Sequence, residues 1–136
     1  MPRWVSAILE SSVVSLIARV LLTLAFWSSA IDKILHWNNA IGEMVHFHLN
    51  PPAAFALATI VVQLVGSALV IWGPYAWFGA GMLGVFTLLT IPIAHPVWAL
   101  PPQQAAREMN VVVEHISLVG ALILVSILRW REVAER

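Results

Sequence analysis

The sequence contains no cysteine. Disulfide bonds, catalysis by a thiol, and iron–sulfur or zinc–thiolate centres all need a cysteine side chain. All of these are therefore excluded.

Charged residues are also scarce. Only 10% of the 136 residues are charged and 60% are hydrophobic, whereas a soluble domain typically has about a quarter charged residues. Seven basic and seven acidic side chains are too few to cover the surface of a soluble domain of this size, so we expect much of the surface to face lipid. The formal net charge is zero and the chain has no run of basic residues, so we expect no nucleic-acid partner.

Long apolar runs occupy most of the sequence. Four of them approach the roughly 20 residues that a helix needs to cross the hydrocarbon core of a bilayer, and they lie at residues 13–31, 53–72, 76–94 and 111–128. Proline and glycine mark most of their ends, and the N-terminal stretch lacks a small-residue cleavage pattern, so we expect all four runs to be retained. The sequence therefore predicts one all-α domain over residues 1–136, a polytopic membrane protein built as a four-transmembrane-helix bundle.

The basic residues near the ends of these runs predict the orientation of the bundle. Four arginines belong to the two termini, namely Arg3, Arg129, Arg131 and Arg136. Only Lys33 and Arg107 lie near the two long connections. Because positive-rich segments normally remain in the cytoplasm, we expect both the N- and the C-terminus to be cytoplasmic.

Polar and small residues inside the runs predict which helix faces turn inward. In the first run, one helical stripe consists of Arg19, Thr23, Phe26, Ala30 and Lys33, and an ionisable side chain within the membrane should face the bundle interior. We expect this stripe to face inward. In the third run, the small residues around Gly79 and Gly84 predict close packing against a neighbouring helix.

The fourth run has a small polar face, formed by Asn110, Glu114, Ser117 and Ala121. The depth of Glu114 favours an ion pair with Lys33 over one with Arg19, while Gln63 is close enough in depth to Arg19 to form a hydrogen bond. Arg19, Lys33, Gln63 and Glu114 are therefore predicted to form an intramembrane polar network. This network has two interpretations, a structural link between helices and a role in proton or quinone chemistry.

All five histidines are predicted on or near one side of the membrane, at positions 36, 46, 48, 95 and 115. Imidazoles can ligate copper, zinc or haem iron, which makes His36, His46 and His48 weak candidates for a metal site. No spacing here is specific for a metal, and interfacial histidines without metal are the simpler interpretation. For His95 and His115, a proton relay or a hydrogen bond to a quinone is a further interpretation.

Several segments in order along the chain resemble the DoxX family. They are Leu16-Ile17-Ala18-Arg19 followed by Asp32-Lys33-Ile34, then Gln63-Leu64-Val65-Gly66-Ser67-Ala68, His95-Pro96-Val97-Trp98 and His115-Ile116-Ser117-Leu118-Val119-Gly120-Ala121. The resemblance extends over residues 15–128. It departs from the family pattern where Gln63 replaces a frequent glutamate and where Glu114-His115 replace a frequent Lys-Asn pair.

The resemblance implies a small protein of the bacterial cytoplasmic (inner) membrane. Some members are membrane subunits of thiosulfate:quinone oxidoreductases, and others associate with redox-defence proteins. We therefore expect an accessory or quinone-contacting subunit of a membrane redox complex, with quinone as the one cofactor class implied. Its expected partners are the lipid bilayer, a redox partner subunit and further subunits of a homo- or hetero-oligomer. The alternatives are a non-enzymatic membrane anchor or interaction protein, and a small-solute or metal permease that works as an oligomer.

Overall fold

The computed structural model describes residues 2–135, which are predominantly helical with no strand among them. The helices are α1 (Arg3–Leu9), α2 (Ser12–Leu22), α3 (Leu24–Leu35), α4 (Trp37–His46), α5 (Pro52–Trp72), α6 (Ala76–Ala94) and α7 (Pro102–Ala134), with a 3-10 turn at Val97–Ala99 before α7. The all-α prediction is thereby confirmed.

Three helical segments are long and apolar enough to cross a membrane, namely Pro52–Trp72, Ala76–Ala99 and Pro102–Ala134. They contain the predicted runs at 53–72, 76–94 and 111–128. A fourth candidate span exists if α1 and α2, which meet at an angle of 55°, are taken together. The chain is thus an integral membrane protein with three or four candidate spans.

The first predicted run, residues 13–31, is not one uninterrupted helix, because α2 ends at Leu22 and α3 begins at Leu24. The Thr23 hydroxyl donates to the carbonyls of Arg19, at 2.9 Å, and Val20, at 3.3 Å. A threonine that bonds back to the preceding turn commonly bends a helix. The hydropathy of residues 13–31 does not reveal this break, since a single threonine barely changes it.

Helices α5 and α6 form a tight antiparallel hairpin. Gly73 ends α5 with φ of 107°, a conformation that residues with a Cβ rarely adopt. Within the hairpin, a Cβ on Gly79 would lie 2.7 Å from the carbonyl oxygen of Gly66 and 3.1 Å from the amide nitrogen of Val70. The two backbones therefore approach so closely that only glycine fits at residue 79, as the small residues of α6 predicted.

The core lies where α3 and α7 pack against this hairpin. Its central cluster consists of Phe26, Val70, Ala80, Leu83 and Leu122, and a smaller cluster of Ala40, Met44 and Ala56 holds α4 against α5. Thr23, Phe26 and Ala30 are all buried, so this part of the predicted inward stripe of the first run does face the interior.

The outer surface is largely apolar. Leu57, Val85, Leu89, Ile123 and Leu124 are each more than half exposed. A surface of this kind is unfavourable in water and is the normal outer face of a helical membrane protein.

Gly79→Ala is expected to destabilise the protein by about 1–3 kcal/mol, because the new methyl group would collide with the backbone of α5. Gly81→Ala is the matched control on the same helix, since nothing lies within 4 Å of a Cβ there. Thermal unfolding of both purified variants in detergent would measure the difference. Equal unfolding temperatures for the two variants would contradict the close contact between α5 and α6.

Candidate functional site

A half-open cavity of about 490 Å³ lies between the helices and is lined by residues of α3, α4, α5, α6 and α7. Most of its wall is apolar, and four phenylalanines contribute to it, namely Phe26, Phe47, Phe55 and Phe86. The polar groups of the wall include the predicted site residues Lys33, Gln63, His95 and His115. Four of the six residues singled out from the sequence as network or quinone candidates thus line one space.

Gln63 is the most deeply buried of these four, with 5% of its surface exposed. Its Nε2 donates to Ser29 Oγ at 3.3 Å, which links α5 to α3. Its Oε1 is buried and has no hydrogen-bond partner among the described residues. A buried amide oxygen without a partner is unfavourable, so this atom is suited to accept a hydrogen bond from a ligand in the cavity.

The two histidines of the cavity lie edge to face, with ring centroids 5.0 Å apart. Nδ1 of His95, at the end of α6, lies 2.6 Å from Oε2 of Glu108 on α7. Nδ1 of His115 lies 2.8 Å from the carbonyl oxygen of Val111 and donates to it, since a carbonyl only accepts. Both rings therefore use Nδ1 within the protein and retain Nε2 for a ligand.

Lys33 pairs with Glu43 rather than with Glu114, and the prediction of a Lys33–Glu114 ion pair was wrong. Lys33 Nζ lies 2.7 Å from Glu43 Oε2, and the lysine side chain is only 12% exposed. The chain turns back after α3 into α4, which brings Glu43 beside Lys33. From the sequence, this segment was interpreted as a connection between spans, and no helix was predicted in it. Glu43 was therefore not considered as a partner of Lys33.

The polar face of α7 does not turn inward. Asn110, Glu114 and Ser117 are exposed, whereas Val112, Val119 and Leu122 form the buried ridge. The Ser117 hydroxyl donates to the Val113 carbonyl at 2.8 Å within its own helix and so needs no neighbouring helix. Apolar packing, rather than polarity, decides which face of α7 contacts α6.

Arg19 lies at the opposite end of the bundle from the cavity and does not bond Gln63. Its Nη1 donates to the carbonyls of Ile71, at 2.7 Å, and Val70, at 3.3 Å. These carbonyls belong to the last turn of α5, where a cation is favourable because no backbone N–H remains to bond them. Arg19 therefore stabilises the end of α5 and is not part of a network with Lys33, Gln63 and Glu114.

The remaining three histidines do not lie together at one site. His36 bonds Asp32 on the surface, at 3.0 Å. His46 and His48 line a second, outer cavity of about 470 Å³, together with Gln104, Arg107 and Glu108. Residues 2–135 contain no group of three or more histidine or acidic side chains placed to hold a metal ion.

A family model now adds to this geometry. The model named DoxX matches residues 14–96, which is more than half of the chain. The chain belongs to the DoxX family. The match covers α2 to α6 with His95 and ends before α7, so the resemblance at residues 115–121 lies outside it. Neither the curated proteins nor the solved structures searched gave a match.

Sequence reasoning missed Glu108, whose carboxylate contacts the ring of His95. A signal existed in the spacing, since residues 108 and 115 are seven apart and therefore share one face of a helix. Residues 95–110 were interpreted as a connection between spans, however, whereas α7 begins at Pro102. The unexpected length of α7 brings Glu108 to His95.

Glu43→Gln is expected to destabilise this DoxX protein by about 1–2 kcal/mol, because Lys33 would lose its charged partner in a mostly buried position. Glu114→Gln makes the same chemical change at an exposed residue of α7 and should leave the unfolding temperature nearly unchanged. Exchange of the two charges, with Lys33→Glu and Glu43→Lys together, should recover part of the loss. A larger effect at Glu114 than at Glu43 would support the pairing predicted from the sequence.

Proposed function

We propose that the membrane cavity binds a quinone and that the protein is an accessory, quinone-contacting subunit of a membrane redox complex. One observation carries this proposal. The unpartnered Oε1 of Gln63 and the free Nε2 atoms of His95 and His115 belong to one mostly apolar cavity within the membrane-spanning helices.

The chemistry of the wall suits this ligand class. Small-molecule sites typically have volumes of about 300–1,000 Å³, apolar walls and a few well-placed polar groups, and the volume of about 490 Å³ lies in that range. A quinone has two carbonyl oxygens that accept hydrogen bonds, and its reduced form has two hydroxyls that donate them. An imidazole and a carboxamide can serve both forms, and the aromatic and aliphatic wall suits the ring and the start of an isoprenoid tail.

The proposed arrangement in the bilayer has four spans, with α2 and α3 together forming the first. Two contacts support this pairing, since Arg19 of α2 bonds the last turn of α5 while Ser29 of α3 bonds its middle. The α2–α3 segment thus runs along α5. In addition, Arg129 of α7 donates to Ser15 of α2 at 2.9 Å, which favours both chain ends lying at one end of the bundle.

The arginine-rich termini favour the cytoplasm for that end, in a bacterial inner membrane. The cavity and its histidines would then lie in the outer half of the bilayer. The proposed partners are a redox subunit and further subunits of a homo- or hetero-oligomer.

Purification from native membranes in a mild detergent tests the proposal directly. We expect a quinone in the lipid extract, identified by mass spectrometry, and a redox protein among the co-purifying chains. A bare protein with neither would favour a non-enzymatic anchor, and metal-dependent or solute-dependent growth of a deletion strain would favour an oligomeric permease. Either result would contradict the quinone proposal.

Gln63→Leu is expected to weaken binding of a decyl-substituted benzoquinol by about three- to tenfold, the effect of losing one hydrogen bond from a quinol hydroxyl to Oε1 of Gln63. The variant should fold, because it removes a buried amide that lacks a full set of partners. Gln103→Leu, at an exposed residue that lines neither cavity, is the matched control. Binding to protein in lipid nanodiscs, corrected for empty nanodiscs, would measure the effect, and unchanged affinity in Gln63→Leu would contradict the role of this residue.

A further inference from the structure

Glu108 connects the two cavities of the protein. The residue lines the outer cavity, and its Oε2 lies 2.6 Å from Nδ1 of His95, whose ring lines the membrane cavity. Its side chain is 37% exposed, compared with 21% for that of His95. Glu108 is therefore the more exposed partner of this pair and lies on the side of the outer cavity.

The carboxylate determines where the proton of the His95 ring lies. An ionised carboxylate only accepts hydrogen bonds, so the ring nitrogen that faces it must carry a hydrogen. Glu108 thereby fixes the tautomer with the hydrogen on Nδ1, as carboxylates do for other functional histidines. Nε2 is left as the atom that meets a ligand.

With Nδ1 fixed, the charge of the ring decides what Nε2 can bind. In the neutral ring Nε2 carries no hydrogen and accepts a hydrogen bond, which suits a quinol hydroxyl. In the protonated ring Nε2 carries a hydrogen and donates one, which suits a quinone carbonyl. A histidine normally changes between these states within about pH 5–8.

We propose that Glu108 is a positioning residue that fixes the tautomer of His95, so that protonation of the ring switches the cavity from binding quinol to binding quinone. This inference deepens the proposed function and depends on it. It adds a residue that is absent from the sequence prediction, and it gives a reason why the two cavities lie side by side.

The other charged and titratable groups around His95 do not bond Nδ1 of its ring. His115 packs on its ring, and a backbone carbonyl, rather than a carboxylate, fixes the tautomer of His115 with the hydrogen on Nδ1. Lys33 and Glu43 line the same cavity and pair with each other. On the outer side, His46, His48 and Arg107 line the cavity that Glu108 shares. Helix α5 contains no titratable residue. Glu108 is therefore the carboxylate placed to act on His95.

Opposite pH dependences for the two redox forms of one ligand are the expected result. In nanodiscs, the Kd of a decyl-substituted benzoquinone should rise by about tenfold from pH 5 to pH 8, because only a protonated ring donates a hydrogen bond from Nε2 to a quinone carbonyl. Over the same interval the Kd of the corresponding quinol, kept reduced without oxygen, should fall. The bound fraction is measured by extraction and chromatography, against empty nanodiscs.

Glu108→Gln should reduce both pH effects to less than about threefold, because an amide can accept from or donate to Nδ1 and no longer fixes the tautomer. Glu114→Gln is the matched control on the same helix and should retain both effects. Each variant is first shown to unfold at a similar temperature to the unaltered protein.

The outcomes separate this inference from the function on which it depends. If neither form binds at any pH, the proposed function is wrong and the inference falls with it. If both forms bind but their affinities change with pH in the same direction, the cavity is a quinone site and the switch at His95 is wrong. The same holds if Glu108→Gln folds and keeps opposite pH dependences.

Discussion

Polar groups inside a bilayer need partners within the protein, because the hydrocarbon core contains no water to bond them. The rest of this structure depends on that constraint. Lys33 bonds Glu43, and Arg19 bonds the free carbonyls at the end of α5. The Ser126 hydroxyl donates to the carbonyl of Trp77, at 2.8 Å, and so joins α7 to α6. These links fix the helices around the apolar core and leave lipophilic side chains on the outside.

The cavity is the place where the constraint is incompletely met. Close contact at Gly66 and Gly79 holds α5 and α6 together, and the cavity lies where α3, α4 and α7 face this hairpin. Gln63 is buried beside this space with an unpartnered oxygen. Two histidines face the same space, each with one nitrogen bound within the protein. The oxygens of a quinone or its quinol can bond the two ring nitrogens, and a quinol hydroxyl can also donate to Oε1 of Gln63. This is the physical basis for proposing a quinone and its reduced form as the ligand.

Properties that depend on many residues could be predicted from the sequence, and those that depend on one contact could not. Hydropathy located α5, α6 and the membrane-spanning part of α7, and helical spacing identified the buried stripe of Thr23, Phe26 and Ala30. The partner of Lys33 could not be found, because it depends on how the chain turns into α4. The polar residues of α7 were misleading, since a serine satisfied by its own helix resembles one that bonds a neighbour. Even so, depth predicted Lys33, His95 and His115 near one side of the membrane, and all three line the cavity, whereas it wrongly favoured Arg19 as the partner of Gln63.

In the proposed arrangement α2 and α3 together make the first of four spans, and the arginine-rich termini, on the cytoplasmic side, place the cavity on the outer side. Reporter fusions to the two termini test it most directly, with green fluorescent protein as the reporter active in the cytoplasm and alkaline phosphatase as the reporter active in the periplasm. The account predicts that both termini make the fluorescent fusion active and the phosphatase fusion inactive. Opposite results at the two ends would mean an odd number of spans and would contradict the account.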